Sequence, residues 1–313
     1  MIYVTGGSGF LGSRIVKRLV EEGQSVRVLV RNRERAQQEG RLAGLAVDWT
    51  NGDVTQPESL PAGLQGVDQI IHTAAIAIEK GQATYEEVNY QGTANLVDAA
   101  KAAGVKRFVN ISQLGADPDL PYRFLASKGR AQAYVAQSGL EWTAFRPSVI
   151  WGPEDEFANT FARLVPITPI IFPIIGDEQS RFQPVWVEDV VSATTAALGD
   201  PTTNGQEFEL GGPEVLTLEE IERRVMRALD AKRIMVRFPM PLLRFAVKLM
   251  EIALPNPPVT SSLLELLQVE NVTSENALTR FVDSPREFEP DYLATYMKDF
   301  TVGGTLRSFL GRV

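Results

Sequence analysis

The chain has 313 residues, of which 44% are hydrophobic and 22% are charged, which is enough apolar material for one large core or for a main domain with a smaller one. Its formal net charge of -8 argues against binding along a nucleic-acid backbone, because such a contact needs a net basic face. The absence of cysteine and the presence of a single histidine, His72, exclude disulfides, cysteine nucleophiles and zinc clusters, so we expect no metal site.

Short apolar strands alternate with longer amphipathic helices from the first residue to about residue 150. The predicted strands are 2–5, 25–30, 46–51, 69–73, 107–112 and 143–146, and the predicted helices are 11–22, 33–42, 85–103 and 124–138. This order is typical of right-handed βαβ units in a parallel sheet, which predicts a doubly wound α/β fold of the Rossmann type. Because a strand begins at residue 2 and no run reaches roughly 18 apolar residues, we expect no signal peptide, no membrane span and a cytoplasmic protein.

The alternation loosens after Pro153, where proline-bearing segments interrupt any long element. We therefore predict a dinucleotide-binding domain over 1–153. Residues 154–313 are expected to form mainly a smaller C-terminal α/β substrate lobe, with some segments returning to the main sheet. Within 154–313 the pattern predicts helices over 218–229 and 241–252 and a strand over 207–210.

A glycine-rich segment joins the first predicted strand to the first predicted helix. In such a turn, backbone N–H groups and the positive end of the helix receive a pyrophosphate. The candidate cofactor-binding residues here are Thr5, Gly6, Gly7, Ser8, Gly9, Phe10, Leu11 and Gly12. The alternative is a glycine turn without a ligand, which is less favoured because the segment opens a complete βαβ array.

Basic residues follow the second strand, where an acid would otherwise bind the adenosine ribose hydroxyls. A guanidinium offers a planar set of donors suited to a 2′-phosphate, so Arg31, assisted by Arg33 or Arg35, favours NADP(H) over NAD(H). The alternative is a solvated basic start of the next helix. Asp53, followed by Val54 after the third strand, is a candidate acceptor for the adenine amino group or, alternatively, a turn-forming aspartate.

These motifs resemble the short-chain dehydrogenase/reductase superfamily, in its extended and atypical branch of epimerase/dehydratase-like, NAD(P)-binding proteins, and the resemblance spans nearly the whole chain. Besides Thr5 to Gly12, the residues that carry it are Asp53-Val54, His72-Thr73-Ala74-Ala75, Asn89, Ser112, Lys128, Arg146-Pro147-Ser148 with Gly152-Pro153, and the run from Pro184 to Val190. The resemblance implies cofactor contacts from Asp53, Val54, Thr73, Ala74, Ala75, Asn89, Lys128, Arg146 and Pro147. His72 is expected to pack near the nucleotide without a proton-transfer role.

The chain departs from this family at its reaction centre. The family places a catalytic tyrosine four residues before the lysine, but here Phe124 precedes Lys128 at that spacing and has no proton to give. Tyr122 would point away from the lysine on a helix. The candidate catalytic residues are therefore Lys128 and Ser112. Lys128 would bind the nicotinamide ribose or act on a substrate, whereas Ser112 would bind a substrate oxygen or satisfy nearby backbone.

A proline-rich apolar segment, 164–175, follows in the predicted second lobe. Its alternatives are a buried loop, a wall for an apolar small-molecule ligand, and a contact with a membrane surface or protein complex. Arg181 would orient a substrate or pair with Asp177 or Glu178. The amphipathic stretch 245–250 is expected to pack in the core.

Two functions follow. The first is an NADP(H)-dependent oxidoreductase that acts on a fairly apolar small molecule. The second is a catalytically silent NADP(H)-binding subunit or assembly factor of a membrane-associated assembly, because segments 263–272 and 288–290 resemble the branch that contains the NADPH-bearing accessory subunit of respiratory complex I. A sugar-nucleotide epimerase is a weaker third choice, since it would need an acid or base at position 124. The sequence leaves the substrate and the oligomeric state open.

Overall fold

The structure is a computed structural model that describes residues 1–175, 180–297 and 300–310. Its strands are β1 (Ile2–Thr5), β2 (Val26–Val30), β3 (Asp48–Asn51), β4 (Gln69–His72), β5 (Arg107–Ile111), β6 (Glu141–Pro147), β7 (Ile150–Trp151), β8 (Ile171–Ile174), β9 (Arg181–Phe182), β10 (Val185–Trp186), β11 (Gln206–Leu210), β12 (Leu216–Thr217) and β13 (Ile234–Arg237). Its α-helices are α1 (Phe10–Glu21), α2 (Arg33–Glu39), α3 (Gly92–Ala102), α4 (Arg123–Ala136), α5 (Ala158–Leu164), α6 (Val187–Gly199), α7 (Leu218–Ala228), α8 (Met240–Ala253), α9 (Ser261–Leu266), α10 (Pro290–Leu293) and α11 (Val302–Phe309).

The chain divides into two compact units. The first comprises residues 1–147, 187–210 and 275–284, and its seven strands form one parallel sheet in the order β11-β6-β5-β4-β1-β2-β3. The predicted Rossmann-type α/β fold class is thereby confirmed. Strand order reverses at β1, whose neighbours are β2 and β4, and the carboxyl ends of the strands at such a switch point form the usual ligand crevice.

Apolar strands form the centre of this sheet because both of its faces are covered. Every residue of β1 and β5 is buried, as a parallel sheet between two helix layers requires. Helix α1 contacts α6, and α3 contacts α4. One core cluster joins Tyr3 and Phe108 of the sheet to Leu96 and Val97 of α3. The packing fixes the strand ends that carry the candidate site.

The second unit comprises residues 148–186, 211–274 and 285–313. Within its described part, β7 pairs with β10, β8 with β13, and β9 antiparallel to β12. Helix α7 begins with a capping box in which the Thr217 hydroxyl accepts from Glu220 N, and it contacts α5 and α10. Trp151 and Trp186 pack together with ring centroids 4.6 Å apart, and Phe288 packs edge-on against Trp151.

Two stretches of the second unit, 164–175 and 245–250, were singled out in the sequence. Segment 164–175 combines the end of α5, a 3₁₀ turn and β8; Phe172 is fully buried, whereas Ile170 and Ile171 are exposed. The expectation that 245–250 packs in the core is wrong, because Val247 is the one buried residue of α8. Across residues 1–175, 180–297 and 300–310, no helix combines the length and apolar character needed to cross a membrane.

Candidate functional site

The glycine-rich loop connects the buried end of β1 to the start of α1. Gly6 has φ +69°, a left-handed conformation that favours glycine, and Gly9 N donates to Gly6 O at 2.9 Å. Gly9 is also the N-cap residue of α1, and no side chain caps this helix. The first N–H groups of α1 are therefore left for water or a ligand, as a pyrophosphate cradle requires.

Gly12 brings the helix against the loop. A Cβ atom at this position would lie 2.3 Å from Gly6 O and 2.8 Å from Thr73 Oγ1. The Thr73 hydroxyl itself donates to Thr5 O at 2.8 Å. The loop, α1 and the segment after β4 thus meet at a distance that only glycine allows.

A cleft of about 630 Å³ opens at the carboxyl ends of the central strands. The predicted cofactor residues that line it are Gly6, Ser8, Gly9, Arg31, Asp53, Val54, Thr73, Ala74 and Ala75. Other lining residues were not predicted from the sequence: Leu29, Val30, Gly52, Thr55, Ile76, Gln82, Ala83, Glu87, Val88 and Gln91. Most of these follow β3 or β4, so their position after strand ends was a signal that could have identified them.

The basic side of the cleft follows β2. Arg31 is exposed and lines the cleft, and its side chain has no ion pair or hydrogen bond within the described residues. Arg33 is also exposed but does not line the cleft, and its backbone N–H donates to Asn51 Oδ1 at 3.0 Å. Arg41, which the sequence analysis did not single out, donates to Ser8 O of the glycine loop at 3.2 Å.

Asp53 forms the predicted turn and also lies at the cleft. Its Oδ1 accepts from both Thr55 N and Thr55 Oγ1 at 2.9 Å, which makes it a turn-forming aspartate. The residue also lines the cleft. An adenine contact would therefore have to use the carboxylate while it stabilises the turn.

His72 is buried at the end of β4 in a chain of hydroxyl groups. Its ring nitrogens lie 2.6 Å from Thr5 Oγ1 and 2.9 Å from Thr93 Oγ1. Burial, together with the positive charge of Lys128, lowers the pKa of His72 to about 3, so the ring is neutral near pH 7. This environment is that of a structural histidine.

Lys128 and Ser112 are both found near the carboxyl end of β5. Lys128 is buried on α4, and its ammonium donates to Ile111 O at 2.7 Å. Burial lowers the pKa of Lys128 to about 8. The next residue, Ser112, has a buried Oγ without a hydrogen-bond partner in the described part of the chain, although its N–H donates to Phe145 O. A buried hydroxyl of this kind is suited to a ligand oxygen.

Phe124 occupies the position of the family's tyrosine. Its ring packs edge-on against Tyr85, whose hydroxyl donates to Ala77 O at 2.8 Å. Tyr122 is the N-cap residue of α4 and lies outside the helical turns that carry Phe124 and Lys128.

Asn89 lies in a single π-helical turn, Glu86–Gln91, that precedes α3. Its Oδ1 accepts from Ile76 N at 2.8 Å, and its Nδ2 donates to Ile76 O and to Ser127 Oγ. Asn89 thus fixes Ile76, a residue of the cleft wall, to the helix that carries Lys128. π-Helical turns of this type are frequent at functional sites.

The remaining predicted residues do not line the cleft, and neither do Gly12, Asn89, Ser112 and Lys128. Thr5, Gly7, Phe10 and Leu11 support the loop from β1 and α1. The Arg146 guanidinium lies 3.2 Å from Glu207 and 3.6 Å from Glu209 and donates to Ala116 O, and Pro147 O accepts from Leu114 N.

Arg181, in the second unit, is ion-paired with Glu270 at 2.7 Å. The partners considered for it in the sequence, Asp177 and Glu178, lie outside the described residues.

Comparisons with known proteins agree with this geometry. A family model described as NAD(P)H-binding matches residues 6–161. The chain is 29% identical over 311 residues to NADH dehydrogenase (ubiquinone) 1 alpha subcomplex subunit 9, mitochondrial, of Arabidopsis thaliana, covering 96% of this chain and 76% of the relative. It is also 29% identical over 223 residues to the NAD(P)H azoreductase of Xenophilus azovorans, covering 71% of each chain.

A solved structure of similar fold also contains a nicotinamide cofactor. The chain resembles the UDP-glucose 4-epimerase of Thermus thermophilus in complex with NAD, with a TM-score of 0.68 and 22% identity over 96% of this chain and 98% of the other. The likeness to this solved structure shows a shared fold. The fold, the glycine-loop cleft and the family model together indicate an NAD(P)-binding protein with a Rossmann fold.

Proposed function

We propose that the chain is an NADP(H)-dependent oxidoreductase that acts on a fairly apolar small molecule. The observation that carries this proposal is that Lys128, bonded to Ile111 O, and the adjacent residue Ser112 are both found at the carboxyl end of β5. A lysine whose pKa is about 8 is a competent proton donor near neutral pH, and the Ser112 hydroxyl, which has no hydrogen-bond partner among the described residues, is available to a substrate oxygen or nitrogen.

Arg31 supports NADP(H) over NAD(H). Its exposed guanidinium lines the cleft and has no ion pair or hydrogen bond with another described residue, so it would bind a 2′-phosphate without breaking an existing ion pair. No carboxylate stands between Val30 and Arg33 to receive the 2′-hydroxyl of NAD(H). Arg41, at the edge of the glycine loop, adds positive charge to the same side.

Each residue of the site would have its own role. Bound NADPH would supply the hydride. Lys128 would hydrogen-bond the nicotinamide ribose or deliver the accompanying proton, and Ser112 would orient the acceptor group. Asn89 holds the cleft wall against α4, which fixes the approach of a ligand to Lys128.

The proposed substrate class rests on what the site lacks and on its relatives. With Phe124 in place of tyrosine, an alcohol or ketone would meet no phenol donor at that position, which favours reduction of a bond that needs only hydride and a lysine proton. The azoreductase is, by its name, an NAD(P)H-dependent reductase of an azo group.

A second candidate function is a catalytically silent NADP(H)-binding subunit. Two observations favour it: Phe124 removes the family's usual acid, and the Arabidopsis thaliana relative is named as a subunit of NADH dehydrogenase. In this case Lys128 would serve only to hold the nucleotide, and the contact with a larger assembly would involve 164–175.

A turnover assay separates the two functions. NADPH oxidation would be followed with an azo dye, a quinone and an α,β-unsaturated ketone for the native chain, Lys128→Met, Ser112→Ala and the exposed-lysine control Lys106→Met. The oxidoreductase proposal expects acceptor-dependent oxidation that falls on the order of 10²-fold in Lys128→Met and is unchanged in Lys106→Met. Tight NADPH binding without oxidation by any acceptor would favour the silent subunit instead.

A further inference from the structure

Helix α8 presents a row of large apolar side chains to solvent. Leu242, Phe245, Leu249 and Ile252 are between 51% and 85% exposed. Their spacing of three, four and three residues places them on one face of the helix. Val247, the buried residue of α8, lies on the opposite face. The helix is therefore amphipathic, but its apolar row points to solvent and not to the core.

Positive charge flanks this row. Arg244 and Lys248 are exposed, lie one helical turn apart and border the row on the same side. Lys248 has no ion pair within the described residues, and Arg244 donates only to the neutral amide of Gln268. Long basic side chains in this position extend their charge toward lipid headgroups while their stems cover apolar surface.

The chain leading into α8 is also basic. Residues 223–252, which include the whole row, contain eight arginines and lysines and two acids, Asp230 and Glu251, although the whole chain carries a net charge of -8. Some of these cations are paired, such as Arg223 with Glu219, but Arg227 and Lys232 are exposed and have no ion pair in the described part of the chain. Positive charge is thus concentrated in the sequence around the apolar row.

A second exposed apolar set lies next to the end of α8. Val302, Leu306 and Leu310 are each about half exposed in and just after α11. Asn256 N, three residues after α8, donates to Phe309 O at 3.2 Å, so the carboxyl ends of the two helices are neighbours within the second unit. The exposed apolar surface therefore extends beyond one helix.

We propose that this surface, the α8 row with Arg244 and Lys248, binds in the plane of an anionic lipid bilayer. An apolar row with a basic flank is the pattern of a helix that lies at the headgroup boundary. The local excess of positive charge matches an anionic membrane surface and opposes the net charge of the chain. The inference stands on the second unit alone and does not depend on the proposed enzymatic function.

The test exploits the absence of cysteine, which lets a single introduced cysteine carry an environment-sensitive fluorophore. Ile252→Cys reports on the row, and Ile78→Cys, an exposed apolar position of the first unit, is the matched control. Both labelled proteins are titrated with vesicles of phosphatidylcholine containing about 30% phosphatidylglycerol, and with phosphatidylcholine alone. The proposal expects a blue-shifted emission at position 252 only, stronger with the anionic vesicles and weaker at high salt.

A paired variant, Phe245→Glu with Leu249→Glu, measures the contribution of the row by vesicle sedimentation. Because both side chains are exposed, the fold is expected to persist, which circular dichroism checks. Vesicle affinity should fall at least about tenfold. The proposal is overturned if native protein does not sediment with anionic vesicles, if the paired variant sediments equally well, or if light scattering shows a dimer that the variant dissociates. The last result would assign the row to an interface between copies.

Discussion

The Phe124 ring lies edge-on against the Tyr85 ring, with centroids 5.5 Å apart and planes at 70°. This contact fills with apolar atoms the position that carries a phenol in the family that the chain resembles. The Tyr85 hydroxyl is itself engaged with Ala77 O. Among the described residues, this position therefore offers no free phenol for alcohol or ketone chemistry.

Phe124→Tyr should restore that phenol one helical turn from Lys128, whose ammonium would lower the pKa of the new tyrosine. We expect reduction of a ketone acceptor to rise on the order of 10²-fold, measured by NADPH oxidation. Phe124→Leu, which changes the ring but adds no acid, should give no gain. An unchanged rate in a folded Phe124→Tyr protein would contradict the assignment of this position.

The pH profile of turnover tests Lys128 directly. Burial lowers the pKa of Lys128 to about 8, so the ammonium is present below that pH and lost above it. A rate that depends on this proton should therefore fall above about pH 8. NADPH affinity is measured at the same pH values to separate binding from proton transfer. A profile that stays level to pH 10 would exclude Lys128 as the donor.

Gly12→Ala tests the close packing of the loop. The added methyl group would lie 2.3 Å from Gly6 O, which forces the loop and α1 apart. We expect a loss of about 2 kcal/mol of unfolding free energy and a loss of nucleotide binding. Gly199→Ala, at the end of α6 where a Cβ meets nothing within 4 Å, is the control and should be neutral or slightly stabilising. Equal effects of the two substitutions would contradict the packing argument.

Glu222 in the second unit gives a pH-dependent stability. Its Oε1 accepts from Ile175 N, its Oε2 has no partner within the described residues, and burial raises its pKa to about 8. The folded state thus binds a proton that the unfolded state releases between pH 4.5 and 8, so stability falls as pH rises through this range. Glu222→Gln should raise the melting temperature at pH 8.5 but have little effect at pH 5. The exposed control Glu265→Gln should show the same small effect at both pH values, and a Glu222→Gln effect independent of pH would refute the account.

Most of the sheet could be predicted because its strands are short and bounded by turn residues, and because β1 and β2 are mostly apolar. β1 begins and ends as predicted, and the other predicted strands of the main sheet match to within two residues at each end. The predicted helix 85–103 is divided into a π-helical turn and α3, because residue pattern does not distinguish a π turn from an α turn. That turn carries Glu87, Val88 and Gln91 into the cleft, which is why they were missed.

The exposure of α8 could not be predicted for a related reason. Periodicity shows that a helix has an apolar face, but it does not show whether protein or solvent meets that face. In the same way, the sequence places Arg31 after β2. It does not show that the guanidinium lines the cleft and has no ion pair or hydrogen bond with another described residue. Both properties depend on tertiary packing.

The central claim is that the cleft holds NADP(H) through Arg31. Calorimetric titration of nucleotide-free protein with NADPH and NADH, repeated on Arg31→Asp and on the exposed-lysine control Lys17→Asp, tests it most directly. We predict that the native chain and Lys17→Asp bind NADPH more tightly than NADH, and that Arg31→Asp loses at least about tenfold in NADPH affinity while NADH affinity changes little. Equal affinities for the two nucleotides in the native chain, or equal losses in Arg31→Asp, would contradict the claim.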